Sequence, residues 1–153
     1  KGYHSDAART HAVGEVSEEA KKLIQVTKES FFEGIKFAKA GNHLFDISGA
    51  IGRYAEERGY GVVRDLCGHG IGTALHEAPE IPNYEVGRKG VRLRPGMTLA
   101  IEPMINIGTY EVDWLDDDWT VVTRDGSLSA HYENTILITE GEPRILSLTC
   151  DNE

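Results

Sequence analysis

Every helical pattern in this sequence lies before Gly59, and nearly every strand pattern lies after it. That segregation argues against alternating βαβ units with a parallel sheet and points to an α+β fold, helices packed on a meandering antiparallel sheet. After Ser17, which can accept from the first free N–H groups, Leu23, Ile24, Phe31, Ile35 and Ala38 recur near helical spacing, with Glu18 and Glu19 at the positive end of the dipole. Gly41 is the expected stop. A second helix is expected from Leu44 to Arg58, with Leu44, Ile47, Ile51, Tyr54 and Ala55 on one face and Gly59 as its terminator. Short strands are expected at Arg9 to Val16, Val62 to Leu66, Thr98 to Glu102, Thr120 to Thr123 and Tyr132 to Ile138. Turn clusters such as Arg94-Pro95-Gly96 and Arg124-Asp125-Gly126 separate them.

Composition narrows the class. The 153 residues suit one domain, so residues 1–153 read as a single unit. With 16 Lys and Arg against 25 Asp and Glu, the formal charge of −9 disfavours a phosphate-backbone binder, and no stretch approaches the roughly 20 apolar residues of a membrane span. Two cysteines, Cys67 and Cys150, are too few for a disulfide framework and suggest a reducing, cytoplasmic setting. The chain opens on Lys1-Gly2-Tyr3-His4-Ser5-Asp6 without an initiator Met, which reads as the middle of something longer.

Chemistry concentrates in a few places. Gly68-His69-Gly70-Ile71-Gly72 frames one imidazole with residues that allow close backbone approach, and no helical pattern follows to make it a phosphate loop. Glu102 and Glu133 sit in otherwise apolar strands, where an unpaired carboxylate is costly. Taken alone, each reads first as a solvent-facing strand residue or as a partner of an Arg such as Arg92 or Arg94. Together, an imidazole and several carboxylates are the ligand set of a borderline to hard divalent ion such as Mn, Fe, Co or Zn. Cys67 reads as a small buried residue, and His4, His11, His43 and His131 as structural or surface residues. The acid run around Trp114 reads as a solvated loop.

Taken in order, several motifs resemble type I methionine aminopeptidases. They are Gly68 to Gly72 with His76-Glu77-Ala78-Pro79, Leu93-Arg94-Pro95-Gly96-Met97-Thr98 leading into Ile101-Glu102-Pro103-Met104, Trp119-Thr120-Val121, and Ser129-Ala130-His131-Tyr132-Glu133-Asn134-Thr135-Ile136. The resemblance runs from Tyr3 to about Ile145. It implies a pita-bread fold, in which two related αβ halves flank an antiparallel sheet that holds two metal ions. This chain would be mostly the second half of that fold, a single catalytic domain without its N-terminal part.

Position by position, the resemblance makes Asp6, His69, Glu102 and Glu133 metal ligands for Co, Mn, Fe or Zn. The family's first aspartate would precede Lys1, so one tight site is expected and the second is incomplete. The implied reaction is removal of an initiator Met from peptides and nascent chains by metal-activated water, with the ribosome as a possible partner. In it Glu102 shuttles the proton, His76 donates to the substrate carbonyl, and Trp119 walls the methionine pocket, while Leu75 stands where many relatives place Phe. Two other readings stand beside this one: a non-catalytic pita-bread relative that binds peptides or protein partners, and a proline-directed peptidase. Against the latter, such relatives usually carry Glu-Pro-Gly where this chain has Glu102-Pro103-Met104. As a half of a larger fold the chain is also expected to dimerise or to bind its missing half.

Overall fold

Ser129–Leu137, nine residues long, is the strand on which the molecule is built. The computed structural model describes residues 1–148, so Cys150 lies outside the described residues. In chain order the elements are β1 (Ala7–Arg9), α1 (Glu18–Ile35), α2 (Leu44–Glu56), β2 (Gly61–Val62), β3 (Gly68–Gly70), β4 (Glu77–Ile81), β5 (Thr98–Ile101), β6 (Met104–Asn106), β7 (Val112–Trp114), β8 (Val121–Thr123), β9 (Ser129–Leu137) and β10 (Arg144–Ile145). Eight strands form one sheet in the order β2-β6-β9-β5-β3-β4, with β1 and β10 also paired to β9. Every pairing is antiparallel, and β7 with β8 forms a separate hairpin.

β5 and β6 meet β9 in one continuous register, with Ile101 opposite Asn134 and Met104 opposite His131. Extending that register through the two residues between them sets Glu102 opposite Glu133 and Pro103 opposite Tyr132. The Tyr132 N–H accordingly donates to the Pro103 carbonyl at 3.2 Å. Because side chains alternate across a strand, Leu99, Ile101, Tyr132 and Ile136 turn to one face, where they pack with Phe31, Leu44, Ile47 and Ile51 of the helices. Phe31, fully buried, lies 5.3 Å from the Tyr132 ring, centroid to centroid, and each such side chain contributes roughly 1.5–3 kcal/mol through burial. The opposite face carries Ala100, Glu102 and Met104 on β5–β6, and His131 and Glu133 on β9.

Local capping follows the sequence. The Ser17 hydroxyl accepts from the Ala20 N–H at 3.2 Å, and Asp46 accepts from the His43 N–H at 2.8 Å to start α2. Gly59, at φ +83°, donates to the Glu56 carbonyl and ends that helix's last turn. Other boundaries differ from expectation. The first helix stops at Ile35 rather than running to Gly41, because Phe37 and Ala38 bond three residues back and the Gly41 N–H is taken by the Leu93 carbonyl. The first strand spans Ala7–Arg9 rather than Arg9 to Val16: these three residues pair with β9 in the ladder, and beyond them Val13 is 86% exposed. Strands β3, β4, β6 and β7 arise in stretches too short or too rich in glycine and polar residues to carry a strand pattern of their own.

Candidate metal centre

Four strands deliver chemistry to one face. Glu102 and Glu133 are cross-strand neighbours; His69 on β3 pairs with Ala100 of β5, and Ala8 on β1 pairs with Glu133. Residues His69, Ala100, Glu102, Glu133 and Ala8 therefore share a face, and Asp6, two residues before Ala8, joins them. The alanines leave the space into which the longer side chains reach. Asp6 is fixed from behind, since its N–H donates to Thr135 Oγ1 at 2.9 Å and its carbonyl accepts from the same hydroxyl at 2.9 Å. His69 Nε2 lies 3.4 Å from Glu102 Oε1 and 3.8 Å from Asp6 Oδ2. Ligand atoms of His69, Glu102 and Glu133 all lie within 4.8 Å of one another, as do those of Asp6, His69 and His76.

This arrangement asks for a cation. His69 Nδ1 stands 2.8 Å from the Gly70 carbonyl, a bond that only an Nδ1–H can make. In the neutral ring that leaves the lone pair on Nε2, aimed at carboxylate oxygens that offer lone pairs of their own. Glu133 is buried to 4% exposure, and its Oε1 has no hydrogen-bond partner among the described residues. Like charges directly opposite on paired strands repel, so Glu102 and Glu133 need either a proton or an ion between them. Neither Arg92 nor Arg94 forms an ion pair with them among the described residues. The donor set, one imidazole and three carboxylates, fits a borderline to hard divalent ion.

Burial, and then the negative charges of Glu102 and Asp6, push the Glu133 carboxyl up to about 8 from its ordinary 4.5. Its folded value thus exceeds its unfolded value, so in chelator-stripped protein the folded state holds an extra proton across that window and stability falls as pH rises through it. Metal binding needs the ionised form, so affinity rises with pH and binding releases the proton. Calorimetric titration of Mn²⁺ near pH 7, in buffers of different ionisation enthalpy, should show about one proton released. An apparent enthalpy independent of buffer would mean that Glu133 is already ionised.

His69 and Glu102 line a cavity of about 860 Å³ together with His76, His131, Leu66, Cys67 and Met104. The His76 ring stands edge-on to His69 at 4.4 Å between centroids. His131, set aside in the sequence as structural, is part of this cluster: its Nε2 is 3.6 Å from Glu102 Oε2. Its place two residues before Glu133 on the same strand was the signal that could have found it. Glu77 instead caps the local turn, accepting from the Ala74 N–H at 2.8 Å. Burial raises the Cys67 thiol above its ordinary value, which leaves it a poor nucleophile. Trp119 stands apart, 84% exposed beside the β7–β8 hairpin and not among the residues lining the cavity. In that hairpin turn Asp117 accepts from the Thr120 hydroxyl at 2.6 Å and from the Thr120 N–H at 2.8 Å, so it serves as a turn cap.

Known proteins share this architecture. The profile of metallopeptidase family M24 matches residues 1–140. A methionine aminopeptidase of Clostridium acetobutylicum is 60% identical over 147 residues, which cover 96% of this chain and 59% of that protein. The crystal structure of the Thermotoga maritima methionine aminopeptidase superposes with a TM-score of 0.94 at 49% identity, covering 97% of this chain and 60% of that one. The prolidase of Pyrococcus horikoshii shares the fold at a TM-score of 0.74 and 27% identity, covering 97% of this chain and 37% of that one. The chain thus spans about three fifths of the length of the methionine aminopeptidases it matches. Among the described residues no helix is long and apolar enough to cross a membrane. The profile match across most of the chain, and the pita-bread arrangement of helices on an antiparallel sheet shared with these structures, establish that this chain belongs to metallopeptidase family M24.

Proposed function

We propose that this chain is the metal-holding part of an aminopeptidase that removes an N-terminal Met from peptides and nascent proteins. The observation that carries this reading is the convergence of His69, Glu102 and Glu133, with Asp6 beside them, on the sheet face behind an open cavity. Sixty per cent identity to a methionine aminopeptidase supports the choice of substrate over the more distant prolidase. With it go a Co, Mn, Fe or Zn ion held by Asp6, His69, Glu102 and Glu133, a cytoplasmic setting and nascent chains at the ribosome. The remaining length of the relatives is where a fifth ligand and the rest of the methionine pocket belong.

Asp6, His69, Glu102 and Glu133 would hold a divalent ion, and such an ion, when bound, would supply a lowered water pKa and polarisation of the scissile carbonyl. The protein's own groups do the rest. Glu102 faces the cavity and accepts the proton of the attacking water, then returns it to the departing amine. His76, exposed at the cavity wall, donates to the carbonyl oxygen as negative charge develops there. Trp119 does not line this cavity as it stands, and its part as an apolar wall for the thioether side chain rests on the resemblance and on the remaining length of the relatives closing over it.

His76→Ala should lower kcat by about a hundredfold to a thousandfold while Mn²⁺ affinity stays close to that of the parent. A variant that loses its metal would make His76 a ligand and overturn the assignment. The function itself is tested by Met release from Met-Ala-Ser with Mn²⁺ or Co²⁺ titrated in, beside an Xaa-Pro peptide and the Glu102→Ala variant. The reading predicts metal-dependent Met release that the substitution abolishes. Cleavage of Xaa-Pro alone would assign the chain to the proline-directed peptidases, and no release from folded, metal-loaded protein would leave a peptide-binding relative.

A further inference from the structure

The main chain at His131 is tied in place, and its ring stands beside Glu102. Its N–H donates to Thr10 Oγ1 at 2.9 Å, and the Thr10 hydroxyl donates to its carbonyl at 3.0 Å, which ties β9 to the chain just past β1. Glu102 is tied on its own side, since the Asn83 amide donates to its carbonyl at 3.1 Å. Between these fixed backbones, His131 Nε2 is buried, has no hydrogen-bond partner among the described residues, and stands 3.6 Å from Glu102 Oε2. The other oxygen of the same carboxylate faces His69 Nε2 at 3.4 Å. Two imidazoles thus flank one carboxylate, and their roles differ. His69 commits its Nδ1 to the Gly70 carbonyl, whereas His131 Nε2 faces Glu102.

We propose that His131 is a positioning residue: its Nε2–H faces Glu102 Oε2 across 3.6 Å, steers the plane of the carboxylate as a donor poised to close on that oxygen, and leaves Oε1 directed toward His69. It lies outside the groups of mutually close ligand atoms, so it acts through Glu102 rather than as a ligand. A ligand's outer hydrogen-bond donor removes the rotational freedom that the carboxylate would otherwise lose on binding. The inference rests on the metal centre described above, and its test separates the two.

The experiment is calorimetric titration of Mn²⁺ into the parent chain, His131→Phe and His131→Gln, with thermal melting of each stripped protein. Phe keeps the ring volume and loses the donor; Gln loses the ring and keeps an N–H donor. His131→Phe is expected to weaken Mn²⁺ binding by about tenfold or more, with His131→Gln within about threefold of the parent. A packing role predicts the reverse order, with Phe the better tolerated. Phe binding as tightly as the parent, or equal losses in Phe and Gln, would overturn the proposal while leaving the centre intact. Failure of the parent itself to bind Mn²⁺ would overturn the centre.

Discussion

Glu133→Gln is expected to have two effects of opposite sign. Metal binding should fall by at least about a hundredfold, because a neutral amide replaces a ligand that sits within 4.8 Å of the donor atoms of His69 and Glu102. The chelator-stripped protein, by contrast, should become more stable at pH 8 and above. There the parent must either ionise a buried carboxylate beside Glu102 and Asp6 or hold a proton against rising pH, and Gln does neither. With saturating Mn²⁺ the order reverses. At a hundred times its Kd the ion stabilises the parent by about 2.7 kcal/mol, a melting shift of about 5–10 °C for a chain of this size. Melting curves of both proteins with and without Mn²⁺ read all of this at once. Destabilisation of the stripped variant at high pH would mean that Glu133 serves the fold through a contact other than the ion.

The second large effect is expected at Gly70. Gly70→Ala should destabilise the chain by more than about 3 kcal/mol and remove the metal site with the fold. A Cβ built there overlaps the Ala78 carbonyl oxygen and lies 2.8 Å from its carbon, and both are backbone atoms. Strand β3 is held between β4 and β5, so neither neighbour can retreat without opening a ladder. Gly68 is constrained likewise against the Ala100 carbonyl on β5. The two glycines exist so that the backbone carrying His69 can pass this close to its neighbours; flexibility is not what they supply. Gly141→Ala is the control, because among the described residues nothing lies within 4 Å of its Cβ position. Urea unfolding of the two variants should differ sharply. Equal midpoints would show that the sheet accommodates the methyl group and that the motif has another origin.

The face on which the centre lies was half-legible in the sequence. Alternation in Leu99-Ala100-Ile101-Glu102-Pro103-Met104 and in Tyr132-Glu133-Asn134-Thr135-Ile136 separates a core face from a face bearing carboxylates. What alternation cannot supply is register. That Glu102 stands opposite Glu133 rather than one residue along depends on how β5 and β6 together meet β9, and a slip of one would have turned a carboxylate into the core. The helices were legible because caps and periodicity are local: Ser17 and Gly59 act within a turn of themselves. The strand at Ala7–Arg9 was misplaced because its partner lies more than a hundred residues away, and nothing local distinguishes Arg9 from Val13. His131 differs: its place two residues before Glu133 puts it on the carboxylate face, and the pairing of β9 with β6 then brings it to Glu102. Trp119 followed from resemblance alone, and its exposed place beside the hairpin depends on the Asp117 turn.

The most direct measurement is the anomalous diffraction of a crystal of this chain grown with Mn²⁺. The account predicts one strong peak on the open sheet face, about 2.0–2.3 Å from His69 Nε2 and from carboxylate oxygens of Asp6, Glu102 and Glu133. A peak elsewhere, or none beside these four side chains at millimolar Mn²⁺, would contradict the central claim that they form a metal centre.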